Sequence, residues 1–143
     1  MKKLLIPALF LVFSCQSGSK ATSEDVSNGV ISLDSLKSEV LFIHDEVMPK
    51  MGELRRVRKD LMLQADSLMA SDASRASILD SLANNIASAN EGMMQWMRGY
   101  EPDFEGTEEE VRAYLEAQKS SIQKVKEDME SALKSGMANV NQE

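Results

Sequence analysis

The chain has 143 residues, with 23 acidic side chains against 16 Lys and Arg, a net charge of −7, one His and one Cys. That balance argues against a nucleic-acid binder or a dedicated reader of anionic membrane surfaces, both of which use Lys and Arg to neutralise phosphate. Few aromatics, few Gly and Pro, and abundant Ala, Leu, Glu, Lys and Ser indicate helices, and the length suits one small domain.

The chain opens with Lys2 and Lys3, then an apolar run from Leu4 to Phe13 broken only by Pro7. About ten apolar residues are too few to span a membrane, which takes about twenty, but they match the core of a secretory signal. Ser14 then places a small residue directly before Cys15, the only cysteine. These residues resemble a bacterial lipoprotein signal peptide, although Phe13 stands where a small residue is usual. The resemblance implies that residues 1–14 are removed and that Cys15 is acylated and becomes the mature N-terminus. The expected location is the cell envelope, lipid-anchored at the outer membrane and facing the periplasm. A plain secretory signal is the alternative, but it would leave an unpaired thiol in an oxidising compartment. Acylation of Cys15 leaves no disulfide, and loss of Lys2 and Lys3 makes the mature chain more acidic by two further units.

Residues 15–31 are expected to be the acylated Cys and a disordered tether. From Gln16 the chain is small, polar and aperiodic, with a flexible-coil reach of roughly 20–25 Å. A helix is predicted to start near Ser32 or Asp34, both good N-caps. Leu33, Val40, Val47, Leu54, Leu61 and Leu68 then recur every seven residues. Leu36, Ile43 and Val57 fall on the second core row; Lys50 and Gln64 interrupt it, and Met51 and Ala65 can take over one place on. Pro49 conflicts with this pattern, since an interior Pro removes a hydrogen bond and clashes with the carbonyl four residues back. Because the heptad continues in phase, a kink at Pro49 is preferred to two separate helices.

Ser71-Asp72 is predicted to end this helix and cap a second, whose seam runs Leu79, Leu82, Ile86, Ala89, Met93, Trp96 and Tyr100. Glu101 to Gly106 reads as a turn, and Thr107 with Glu110 as a capping box. A third helix follows, with Val111, Leu115, Gln118, Ile122, Val125, Met129 and Ala132 on its seam and Gly136 as its C-cap. The predicted fold is all-α: an antiparallel three-helix bundle, up-down-up and coiled-coil-like, over residues 32–137, with residues 138–143 as a frayed tail. A four-helix arrangement split at Pro49 and a two-fold coiled-coil dimer use the same pattern.

Folding the second helix back about Ser71-Asp72 sets Met93 level with Lys50, Trp96 with Val47 and Gly99 with His44. His44, Met48 and Met51 then approach Met93, Met94, Trp96 and Met97 at one end of the bundle. Thioether and imidazole ligands suit Cu(I), so His44, Met48, Met51, Met93, Met94 and Met97 are candidate metal ligands, with Trp96 as a capping or packing aromatic. Haem held by His and Met is a further version, opposed by the small bundle and the lack of a Cys-x-x-Cys-His motif. The plainer reading makes the same residues core, because Met fills irregular gaps and packs well on aromatics. On that reading no cofactor is expected, and the zone serves packing or an adaptable surface for a protein partner, a second copy or chaperone clients.

Arg55 to Lys59 is the one basic run. It could hold a phosphate or lipid headgroup, or pair with Asp60, Glu53 and acids of the third predicted helix as a solvated face. No enzyme is expected. One His and no free Cys remove multi-His metal sites and Cys-His pairs, and Asp45 beside His44 is not predicted to complete a triad, since neighbouring helical residues face apart. No phosphate loop is present.

The stretch His44 to Met51, the block Met93-Met94-Gln95-Trp96-Met97 and Glu116-Ala117-Gln118-Lys119 make the body, from about Leu33 to Leu133, similar to short helical bacterial lipoproteins of unknown function, some labelled "viral A-type inclusion protein". That resemblance implies that the bundle alone is the domain and supplies no site.

Overall fold

The computed structural model of the protein describes residues 31–140. The expected signal segment, Cys15 and the tether as far as residue 30 lie outside the described residues, as do residues 141–143. The described residues are all-α, as the sequence predicts, with helices α1 (Leu33–Val47), α2 (Lys50–Leu68), α3 (Ala73–Gly99) and α4 (Glu108–Val140). They form a helical bundle. α2 packs on both α3 and α4, while α1 packs along α4.

Local chemistry sets the ends of these helices. The Ser32 hydroxyl accepts the Ser35 N–H at 3.1 Å and starts α1. Helical hydrogen bonding is interrupted at Met48-Pro49, yet both residues keep right-handed helical dihedrals (Met48 φ −52°, ψ −41°; Pro49 φ −60°, ψ −27°). Met48 N–H donates to His44 O at 2.8 Å and Met51 N–H to Met48 O at 3.2 Å, so the chain passes Pro49 through a tightened turn. The Asp72 carboxylate accepts the Arg75 N–H at 2.9 Å and starts α3. At the start of α4 the Glu110 carboxylate accepts the Thr107 N–H at 2.8 Å while Thr107 Oγ1 accepts the Glu110 N–H at 3.3 Å, the capping box the sequence predicts. The Thr107 hydroxyl also donates to this carboxylate at 2.8 Å, and the two donors, the backbone N–H foremost, hold the Glu110 carboxyl below its ordinary value.

The core follows most of the predicted seam, with Ala76 and Ala83 added and Leu33, Ile43, Leu82 and Val111 only half-buried. Val40, Val47, Leu54, Leu61, Leu79, Ile86, Met93, Ile122 and Met129 are fully buried, and no polar or charged residue among those described is. Met51 and Ala65 are buried where Lys50 and Gln64 break the second row. Those two polar residues work at the edge: the Lys50 ammonium pairs with Glu130, and Gln64 Nε2 donates to Val140 O at 2.9 Å. Glu39 pairs with Lys119 and Glu46 with Lys126 at 2.6 Å, so α1 and α2 are stitched to α4 along its length.

Two sequence expectations are overturned at the end of α4. Gly136 is not a C-cap, and residues 138–140 are not a frayed tail, because the helix continues to Val140. Gly136 is buried mid-helix, where a Cβ would stand 2.8 Å from both Ile86 Cδ1 and Val57 Cγ1; it is small so that three helices can approach. The terminal carbonyls are satisfied from outside the helix. Arg75 donates to Asn139 Oδ1 and Asn139 O at 3.0 and 3.1 Å, and Gln64 takes Val140 O.

Candidate functional site

The end of the bundle that holds α1 and the α3–α4 connection carries a run of stacked rings. His44 stacks on Trp96 with centroids 5.5 Å apart, and Trp96 on Tyr100 at 4.9 Å. Tyr100 lies 6.4 Å from Tyr114, which stacks on Phe104 at 4.3 Å. Helical spacing creates the inner part: Tyr100, the C-cap of α3, follows Trp96 by one turn, and its N–H donates to Trp96 O. The Tyr114 hydroxyl accepts the Glu101 N–H at 2.6 Å and fastens the connection to α4. Lys37 closes the other side by donating to Pro102 O and pairing with Asp103 at 3.6 Å.

Sequence reasoning grouped His44 with Trp96 correctly but set Trp96 level with Val47. The α2–α3 turn occupies Met69 to Asp72, so the hairpin pivots earlier than Ser71-Asp72 and Trp96 meets His44 instead. The sequence also brings Val111 and Tyr114 of the third predicted helix to this level, but it does not join Tyr114 to Phe104. The signal for that contact was the Phe104-x9-Tyr114 pair flanking a turn, which by itself reads as packing.

The ring nitrogens correct a second expectation. His44 and Asp45 do meet: His44 Nδ1 lies 2.8 Å from Asp45 Oδ1. A carboxylate only accepts, so Nδ1 carries the hydrogen and Nε2 is the basic nitrogen of the neutral ring. Asp45 is exposed, and no Ser is placed to complete a triad with this pair among the hydrogen bonds of the described residues. Trp96 is 7% exposed, and its Nε1 is buried without a partner, as is the Tyr100 hydroxyl. Burial foremost, then Tyr114 and Asp103, pushes the Tyr100 phenol above its ordinary value.

The six candidate ligands do not share one environment. Met93 and Met51 are buried in the core, and Met97 packs against it. Met48 and Met94 are on the surface, at 40% and 39% exposure. Met51 and Met94 line a separate hollow between α2 and α3, beside Arg55 and Arg58. Two guanidinium groups oppose a cation there, whereas His44 sits against Trp96. Among the described residues no three His, Cys, Asp or Glu side chains converge on a metal-sized site.

The basic run also departs from its expected pairing. Arg56 meets Glu53 at 3.5 Å, but Arg55, Arg58 and Lys59 have no carboxylate partner among the described residues.

Comparison with protein-family models, with curated proteins and with solved structures finds no match for this chain.

Proposed function

We propose that this chain is a lipid-anchored helical module of the bacterial envelope, held at the outer membrane through Cys15 and facing the periplasm, with a binding or structural role. Lys2 and Lys3, the short apolar run and the sole Cys after Ser14 support the anchor. Among the described residues no helix is long and apolar enough to cross a membrane, so a lipid on Cys15 is the attachment this reading uses. The body is read as an antiparallel up-down-up bundle in which α1 and α2 are one helix kinked at Pro49. Pairs that rise together, from Glu39–Lys119 through Lys126–Glu46 to Lys50–Glu130, support this order, as does the meeting of Arg75 near the start of α3 with Asn139 at the end of α4.

One observation carries the binding role. Leu41 and Phe42 on α1 and Met48 at its C-cap stand exposed within eight residues, Phe42 at 69%. Single exposed apolar residues are ordinary, but three within eight residues, on a short helix and its C-cap next to a proline break, form a surface suited to a protein partner, a second copy or chaperone-like capture of clients. Two measurements test the reading. Cys15→Ala should abolish incorporation of a labelled fatty acid and release the chain from membrane pellets; retention in the pellet sinks the anchor. A photo-crosslinker at Phe42 should give a discrete adduct in intact cells that one at Gln123, exposed on α4, does not. Equal or absent adducts at both positions sink the surface.

Copper carriage is the second reading, favoured by one contact. Ligating His residues commonly donate their other ring N–H to a carboxylate, and His44 donates to Asp45 in that way. Cu(I) titration under a competing chelator, followed by Trp96 emission, should quench at one equivalent and lose the effect in a His44→Ala, Met97→Leu double variant. An unchanged emission retires copper and leaves the binding reading standing.

A further inference from the structure

A hollow of about 310 Å³ lies between α2 and α3, walled by Met51, Arg55 and Arg58 on α2 and by Asn90, Glu91 and Met94 on α3. We propose that it binds a phosphate ester with a neighbouring hydroxyl, of the glycerophosphate kind, with Arg55 and Arg58 on the phosphate and Asn90 on the hydroxyl. The proposal stands independently of the role assigned to α1.

Charge is the first argument. Acidic side chains outnumber Lys and Arg 23 to 16 in this chain, so a surface Arg has many carboxylates to choose from. Arg55 and Arg58 have none among the described residues. The carboxylate that lines the same hollow, Glu91, is already held by Arg98 at 2.5 Å. The hollow therefore keeps two uncompensated positive charges, three residues apart on one helix and so on one face.

Unmet hydrogen bonding is the second. Arg58 Nε and Asn90 Oδ1 are buried polar atoms with no partner. Buried polar groups nearly always have one. Here a donor and an acceptor are left unpaired on side chains that line the two walls of the same hollow. A ligand that satisfies both presents an anionic oxygen to the Arg58 N–H and a hydroxyl to Asn90. The guanidinium fork matches phosphate oxygens with parallel N–H donors. Met51 and Met94 give the carbon skeleton an apolar wall. A bare sulfate offers no hydroxyl and meets only half of the site.

The source of such a group is a phospholipid of the phosphatidylglycerol type or a free glycerol phosphate, and the experiment separates them. The purified full-length chain is titrated calorimetrically with sn-glycerol 3-phosphate and with sulfate. As the unacylated Cys15→Ala chain, so that the lipid anchor does not carry it down, it is also sedimented with phosphatidylglycerol and with phosphatidylcholine vesicles. Saturable binding of glycerol phosphate, tighter than sulfate, supports the free source. Preference for phosphatidylglycerol vesicles without a glycerol phosphate signal supports the lipid source. Either signal should weaken roughly tenfold or more in Arg55→Gln, Arg58→Gln and persist in Arg56→Gln, whose cation is paired with Glu53. Asn90→Ala keeps both charges; it should weaken the hydroxyl-bearing ligand several-fold and leave sulfate unchanged, and it serves if the double variant fails to fold. No signal from either ligand overturns the site. So does binding that Arg56→Gln lowers as much as the double variant, or that Asn90→Ala leaves untouched.

Discussion

Replacing Gly136 by Ala tests the packing at the point where α4 meets two other helices. An added Cβ would stand 2.8 Å from Ile86 Cδ1, 2.8 Å from Val57 Cγ1 and 3.5 Å from Leu61 Cδ1. Carbon atoms settle at about 3.5–4.0 Å, so the methyl overlaps two neighbours by roughly 1 Å. Ile86 can withdraw its terminal methyl by rotating a side-chain bond, but a helical Val has one strongly preferred rotamer, so Val57 can move only with its backbone. Overpacking of this kind costs about 1–3 kcal/mol. Gly to Ala inside a helix returns about 0.8–1 kcal/mol. The net expectation for Gly136→Ala is a loss of about 1 kcal/mol, or about 4 °C in Tm for a domain of this size. Gly92 is the control: it is helical with nothing within 4 Å of a Cβ, so Gly92→Ala should gain up to about 1 kcal/mol. Urea unfolding of both variants, at unchanged m-value, reads the difference. In a Val57→Ala background the penalty at Gly136 should vanish, because the stiff contact is gone. A gain in Gly136→Ala equal to that in Gly92→Ala, or a penalty that survives Val57→Ala, would refute the argument. The second result would point back to a strained backbone of the kind a C-cap glycine has.

Asp72→Ala removes the side-chain acceptor of the Arg75 N–H and should cost about 1 kcal/mol by urea unfolding, while Asp72→Asn should cost little. Tyr100→Phe removes a buried hydroxyl that has no partner, so stability should hold or rise by about 1 kcal/mol; a loss of that size would mean that the hydroxyl is satisfied in solution. The Glu130 carboxyl is held below its ordinary value of 4.5, first by its hydrogen bond from Lys50. A depressed carboxyl stabilises the fold above the ordinary value and loses that contribution as pH falls below it. Glu130→Gln should therefore flatten the fall in stability at acid pH; an unchanged acid limb in the variant would exclude this pair as a contributor.

Much of the fold was legible because one physical rule generates it. A seam of apolar residues every three and four positions must be buried, and Val40, Val47, Leu54, Leu61, Leu79 and Ile86 are. The caps were legible for a similar reason: Thr107 with Glu110, and Asp72, satisfy donors that lie only three residues away. Gly136 was misread because local statistics attach Gly to helix ends, whereas its role here is set by Ile86 and Val57, distant in sequence. The helix end that Gly136 was thought to supply is made by Arg75 and Gln64, which cap α4 from two other helices.

The candidate sites follow the same division. The pairing of His44 with Trp96 could be counted from hairpin register, but its extension to Tyr100, Tyr114 and Phe104 depends on where a six-residue turn lays its aromatic against α4. The methionines were grouped by level along the axis, and level does not say which side of a helix they occupy. Met51 and Met94 fall on the side that carries Arg55 and Arg58, away from the ring stack of His44. Charge behaves likewise. Composition made the chain acidic and the basic run a solvated face, yet pairing is decided by reach: Arg98 takes Glu91, and that contact leaves Arg55 and Arg58 without a counterion. A single ion pair within α3, Glu91 with Arg98, thus raises the net charge around the hollow from one positive unit to two.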